Sequence, residues 1–287
     1  MNPIFSRTLK AMCAVAAAAL LSACGGASST VDPFVATRVI AFGDGFNFVD
    51  ASGYGLSTVQ TSETNNTLAG RIAERYGIVV KDAATVAGGL VSTGGFSYAT
   101  ANATVSGVAT LTTGQIDTFL TAAGGAVSKK DLIIISVGNW DIKAAAATNN
   151  TSAIDTATTN LVAAIQRLTA AGAEHVVVIP SINMARTPWA TGSGISRATI
   201  QDLSNSAATS FNRTLNTKLV NAYSQDRKPV LLLDPTTEFN KFAGSVDVTG
   251  TAVQNYSALT TLTNLSTAVC TTASPAAGCT TSVGAGG

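Results

Sequence analysis

The residues best placed to do chemistry follow the first strongly apolar run of the chain. Thr37 to Phe42 reads TRVIAF, and Gly43-Asp44-Gly45-Phe46-Asn47-Phe48-Val49-Asp50 comes directly after it. In an open α/β sheet the carboxyl end of a strand is where ligands settle. A carboxylate there, Asp44, is a candidate general base for water, and its other reading is an Asx-type bond that holds the turn. Gly45 has no side chain to acylate, so the turn carries no nucleophile at that position. Gly43-x-Gly45 also matches half of a dinucleotide-binding fingerprint. Phe48 stands where the third glycine belongs, however, and Asp44 would face a pyrophosphate with like charge, so neither a nucleotide nor any other cofactor is expected. A second constellation, Gly138-Asn139-Trp140-Asp141, follows the apolar run DLIIISV. Trp140 there reads first as a packing residue, with capping of the pocket or stacking on a ligand as the alternative. The one histidine, His175, opens another apolar run after Glu174 and reads as a strand-end residue rather than a base.

The elements that must position these residues are legible as an alternation. Thr37 to Phe42, Asp131 to Val137, His175 to Pro180 and Pro229 to Asp234 are nearly continuous apolar runs, the pattern of strands buried on both faces of a parallel sheet. Helical stretches lie between them near Thr67 to Tyr76, Thr113 to Ala122, Ala153 to Ala171 and Arg197 to Tyr223. The expected fold is α/β, a three-layer helix-sheet-helix arrangement around a central parallel sheet of about five strands, flavodoxin-like in kind. Gly172 is placed to close the third helix, Pro180 to end the strand after it, and Asp234 to cap the next turn. Asp247 to Gly287 is rich in Thr, Ser, Ala and Gly without a strong period, and reads as irregular structure with no closing helix.

The blocks at the strand ends resemble those of the SGNH/GDSL ester hydrolases. Gly43-Asp44-Gly45 aligns with the family's Gly-Asp-Ser, which puts Gly45 at the nucleophile. Gly94-Gly95-Phe96-Ser97-Tyr98-Ala99 matches the lead-in to its second block, and counting on from Ser97 places Asn102 at the oxyanion glycine. Gly138-Asn139-Trp140-Asp141 matches its third block, with Trp140 at the oxyanion asparagine and Asn139 one residue early, so that its side chain is expected to point elsewhere. The fourth block, Asp-x-x-His, is absent, since no histidine follows His175. The resemblance spans Arg38 to about Asn240. It implies an esterase- or lipase-like fold without catalysis, with an acyl, glycan or peptide ligand in the old cleft or a structural role in the envelope. The alternative is an ester hydrolase with a rearranged site, in which Asp44 activates water at a cost of orders of magnitude in rate.

The first residues carry Arg7 and Lys10 without an acidic residue, and Ala11 to Leu21 is a short apolar run, too short to span a bilayer. The run ends in Leu21-Ser22-Ala23-Cys24, which resembles the bacterial lipoprotein processing site. The resemblance implies a signal peptide over residues 1–23, a lipidated Cys24 opening a tether over 24–36, and a domain over 37–287. It places the exported domain in the bacterial envelope, anchored to the membrane through Cys24. Gly25 after the cysteine favours the outer membrane over the inner. Loss of Cys13 with the signal and lipidation of Cys24 leave Cys270 and Cys279, which read as a disulfide in an oxidising compartment, worth about 2 to 3 kcal/mol. No second ligand pair accompanies them, so no metal is expected. The 17 basic and 16 acidic side chains tip to a slight acidic excess once Arg7 and Lys10 are removed. That balance excludes a nucleic-acid surface, which needs a basic cluster. Growth of a bacterial expression host with a labelled fatty acid is expected to label the native chain and not Cys24→Ser; label retained by Cys24→Ser would contradict the anchor.

Overall fold

The computed structural model describes residues 33–53, 55, 67–86, 89–223 and 229–242. The chain divides into a unit of Met1–Val35, of which residues 33–35 are described, and a unit of Ala36–Gly287, which carries the fold. The signal peptide, Cys24 and most of the tether, Cys270, Cys279 and the stretch from Asp247 onward lie outside the described residues. Among the described residues no helix is long and apolar enough to cross a membrane.

Six strands form one sheet: β1 (Arg38–Gly43), β2 (Val80–Asp82), β3 (Gly94–Ser97), β4 (Asp131–Ser136), β5 (His175–Ile179) and β6 (Val230–Leu232). Their order is β2-β3-β1-β4-β5-β6, and every neighbouring pair is parallel. The helices are α1 (Leu68–Ala73), α2 (Val105–Ala109), α3 (Gln115–Ala122), α4 (Asn139–Ala146), α5 (Thr151–Ala170), α6 (Pro188–Gly192), α7 (Arg197–Gln201), α8 (Phe211–Ala222) and α9 (Thr236–Phe242). All six residues of β1 and of β4 are buried, as continuous apolar runs require when both faces of a sheet are covered. Alternate residues point to opposite faces. Ile40, Phe42, Ile133, Ile135, Val176 and Val178 share the larger core with the helices α2 to α5 and α8, while Val39, Ala41, Leu132 and Ile134 are equally buried on the other side. Helix α5 lays Ile154, Leu161, Ile165 and Leu168 onto that core at helical spacing and packs against α2, α4 and α8. Its end is closed by Gly172, whose N–H donates to Thr169 O at 3.1 Å while Ala173 N donates to Leu168 O at 3.0 Å.

Two expectations need correction. The sheet has six strands rather than about five, because β2 is a three-residue edge strand, Val-Lys-Asp, too short and polar to give an apolar run. Next to it, Gly95 is needed because the β2 backbone comes so close that a Cβ would lie 2.7 Å from Val79 O. The stretch Arg197 to Tyr223 is not one helix. After α7 a π-turn over Asp202–Ser206 leads into an extended Ala207, and α8 begins afresh at Phe211. Ser204 Oγ bonds back to Ile200 O at 2.7 Å and Ser206 Oγ to Asp202 Oδ1 at 2.5 Å, local bonds that compete with the helical ladder. A short helix, α9, follows β6 ahead of the stretch from Asp247 onward, so the expectation of no closing helix there lies outside the described residues. Asp234 Oδ1 accepts from Thr236 N at 2.8 Å at the start of α9, the capping role expected of it.

At the amino ends of the two central strands, register partners Arg38 and Asp131 form a buried bidentate ion pair. Arg38 Nε donates to Asp131 Oδ1 at 2.7 Å and Nη2 to Oδ2 at 2.5 Å, and Ser128 N also donates to Oδ2 at 3.0 Å. Arg38→Met leaves the buried Asp131 carboxylate without its cation and is expected to lower unfolding free energy by about 3 to 5 kcal/mol in urea titrations. Adding Asp131→Leu is expected to recover most of that loss; a single variant as stable as the native chain would contradict the pairing.

Candidate functional site

The strand order changes direction between β1 and β4: the chain runs outward from β1 to β3 and β2 on one side and through β4, β5 and β6 on the other. Such a switch point opens a crevice at the carboxyl ends of the two strands, where the helices leave in opposite directions. A cleft of about 340 Å³ lies there. Its floor holds Asp44 and Gly45 from the turn after β1 and Asn139 from the start of α4, and its walls include Trp140, Lys143 and Trp189.

Local geometry at the floor reflects how closely β1 and β4 approach. Gly43 has φ +120°, and a Cβ there would fall 1.7 Å from Ser136 O, so no other residue fits. Gln115 on α3 grips the same peptide, accepting from Gly43 N at 2.6 Å and donating to Gly43 O at 3.0 Å. The following Asp44 N donates to Ser136 O at 2.9 Å, which directs the Asp44 side chain into the crevice. On the β4 side Gly138 has φ +127°, and a Cβ would meet the Phe211 ring at 2.6 Å. That conformation starts α4 at Asn139.

Asp44 is 2% exposed. Its Oδ1 accepts from Phe46 N at 3.2 Å, the Asx-type bond expected from the sequence, and its Oδ2 accepts from Asn139 Nδ2 at 3.0 Å. Asn139 Oδ1 in turn accepts from Ser181 Oγ at 2.8 Å. The chain of bonds continues beyond the floor, where Asn212 Nδ2 donates to Ser181 O at 2.8 Å and approaches Asp234 Oδ1 at 3.3 Å and Thr236 Oγ1 at 3.1 Å. Burial pushes the Asp44 carboxyl up to about 6, opposed by its bonds to Phe46 and Asn139 and helped by the Asp141 charge nearby. Asp141 turns away to α2, where both its oxygens accept from Val105 N at 3.0 and 3.1 Å, and burial pushes it up to about 6 as well.

Of the residues singled out in the sequence, Asp44, Gly45, Asn139 and Trp140 meet at this cleft. Asn139 does not point elsewhere: it makes the central link between Asp44 and Ser181. Asn102 is exposed in the turn after β3, and its neighbour Ala101 lines the cleft in its place. His175 begins β5, at the amino end of the parallel sheet and so opposite the carboxyl ends that form the cleft, where it cannot serve Asp44 or Ser181. The sequence reading missed Gln115, Ser181, Lys143 and Trp189. Two of them were within reach of it, because Lys143 follows Trp140 at i+3 on one helix and Trp140 and Trp189 are the only two tryptophans of the chain.

Chemically, the polar side chains that line the floor are bonded to one another or to the turn, while the buried Ser136 Oγ at the end of β4 has no partner among the described residues. Both Asp44 oxygens are engaged, the Ser181 hydroxyl donates to an amide oxygen that is no base, and Gly45 presents only backbone. No protein-family model matches the chain, and no curated protein matches it either.

The raised carboxyls carry a sign that can be measured. Below about pH 4 Asp44 and Asp141 are protonated both folded and unfolded. Between about 4 and 6 the folded state holds protons that the unfolded state releases, so their contribution to stability falls as pH rises through that window and is flat above it. Asp141→Asn keeps an oxygen for Val105 N and removes the buried charge. It is expected to match the native chain near pH 4 and to exceed it by about 1 to 3 kcal/mol at pH 7.5 in denaturant titrations. A difference that does not change with pH would contradict the assignment.

Proposed function

We propose that this chain is an SGNH/GDSL-type domain, three-layered, that binds a small ligand in its cleft without hydrolysing it, and that an N-terminal lipid on Cys24 holds it in the bacterial envelope. Leaving aside the edge strand β2, the order β3-β1-β4-β5-β6 corresponds to the flavodoxin-like 2-1-3-4-5. The observation that carries the reading is the floor of the cleft: Gly45 occupies the place of a nucleophile, while Asp44, Asn139 and Ser181 are spent on bonds to one another and to the turn. A hydrolytic serine needs a neighbouring base to take its proton and donors aimed at the developing oxyanion. The cleft presents no serine at Gly45, and the single histidine begins β5, at the amino end of the sheet and away from the cleft. Concavity, aromatic walls and a few placed polar groups nevertheless suit a binding site.

A second reading, an ester hydrolase with a rearranged site, is favoured by one observation: a carboxyl held near 6 inside a cleft is poised for general-base work. Purified full-length chain is to be assayed with short-chain nitrophenyl esters beside labelling with a serine-directed fluorophosphonate. The binding reading expects no turnover above buffer and no label. Turnover abolished by Asp44→Asn, without label, would establish the second reading in its place.

A further inference from the structure

The walls of the cleft differ from its floor in one respect: they hold a cation that makes no ion pair among the described residues. Lys143 lies on α4, one turn beyond Trp140, and its Nζ stands 4.0 Å from the centroid of the Trp140 ring and 5.5 Å from that of Trp189. The Asp44 charge below acts favourably on the same ammonium. Among the described residues Lys143 makes no hydrogen bond and no ion pair. The lysine is partly buried, and that burial works against its charge. Asp44 is the nearest acidic group in the cleft, but its oxygens are already held by Phe46 N and Asn139 Nδ2 and it sits below the wall at 2% exposure. Around the ammonium the lining is apolar, with Phe46, Ile182, Met184 and Pro188 beside the two indoles.

We infer that the cleft takes a monoanionic carboxylate with an apolar body, its carboxylate on Lys143 and its body against the indoles, Ile182, Met184 and Pro188. This deepens the binding function proposed above and rests on it. A partly desolvated ammonium stacked on aromatic faces gains most from an anion that completes its shell, since a cation–π contact replaces only part of its lost hydration. One positive charge, with no arginine in the lining and the Asp44 carboxyl below, suits a single negative charge and disfavours a phosphoryl dianion, which calls for several donors. The loop after β5 that carries the apolar wall is itself held in place. Asn183 Oδ1 accepts from Ala185 N at 3.2 Å, Arg197 Nη1 donates to Ala185 O at 2.7 Å, and Thr187 Oγ1 accepts from Ala190 N at 3.4 Å. The wall is therefore preformed, which lowers the ordering cost of binding.

Because both tryptophans of the chain line this cleft, intrinsic tryptophan fluorescence reports on it alone. The full-length chain is to be titrated with octanoate and with 3-phenylpropanoate, each beside its neutral alcohol, octan-1-ol and 3-phenylpropan-1-ol, and with inorganic phosphate. At least one carboxylate is expected to bind saturably and about tenfold or more tighter than its own alcohol. The two arms separate an aliphatic body from an aromatic one. Lys143→Met keeps the stem and removes the charge; it is expected to bring carboxylate affinity down to that of the alcohol and to leave the alcohol unchanged, which also reports that the variant is folded. Equal affinity of acid and alcohol, or phosphate binding as tightly as the carboxylates, would overturn the inference while leaving a binding cleft in place. Absence of a saturable response to all of the organic probes would overturn the inference and, if the esters are turned over, the binding function with it.

Discussion

The close approach of β1 and β4 at their carboxyl ends is the constraint on which the rest of the site depends. Gly43 lies against Ser136 with no room for a side chain, and its peptide is gripped from one side by the Gln115 amide and tied to the turn after β3 by Thr100 N donating to Gly43 O at 3.0 Å. A peptide so fully bonded is costly to move, because each buried donor or acceptor left unmade costs about 1 to 3 kcal/mol. At the far ends of the same two strands, the Arg38–Asp131 pair sets the register that brings Gly43 opposite Ser136. The residue after Gly43 therefore has one way to go, and Asp44 is delivered into the crevice with its side chain facing the start of α4.

That placement divides the labour across the cleft. Floor groups satisfy one another: Asp44 holds Asn139, Asn139 holds Ser181, and Asn212 ties the backbone of Ser181 to the turn before α9. This network links the carboxyl ends of β1, β4, β5 and β6. Wall groups are the reverse. Trp140, Lys143 and Trp189 have few bonds to other protein groups and face an open volume. The floor is thus built from side chains bonded to one another, and the wall from aromatic faces and an ammonium that makes no ion pair among the described residues.

How much of this was legible in the sequence depended on the kind of signal. The central strands β1 and β4 were, because burial on both faces demands runs such as VIAF and LIII, and no polar alternation competes with that reading. The long helix α5 was, through its apolar spacing and the glycine that closes it. The edge strand β2 was hidden by its length, and β3 by the glycines at 94 and 95, which lower strand propensity although the neighbouring backbone requires Gly95. The break between α7 and α8 was hidden because serine back-bonding to the helix shows only in three dimensions. At the site, Asp44 and Gly45 stood out by position. The direction of Asn139 did not, because strict block register ignores the φ of Gly138, which turns the helix start toward Asp44. Ser181 and Gln115 come from distant segments whose meeting is a property of the sheet order alone.

The most direct test of this account is native-state amide hydrogen exchange at Gly43 and Asp44. Their N–H groups donate to Gln115 Oε1 and Ser136 O and are buried beneath the cleft. If the apposition of β1 and β4 fixes the floor, both amides exchange only through global unfolding, as slowly as those of Ile133 and Ile135 in the middle of β4. Exchange at Gly43 and Asp44 through a local opening, well ahead of those β4 amides, would mean that the floor is not held by that contact and would contradict the account.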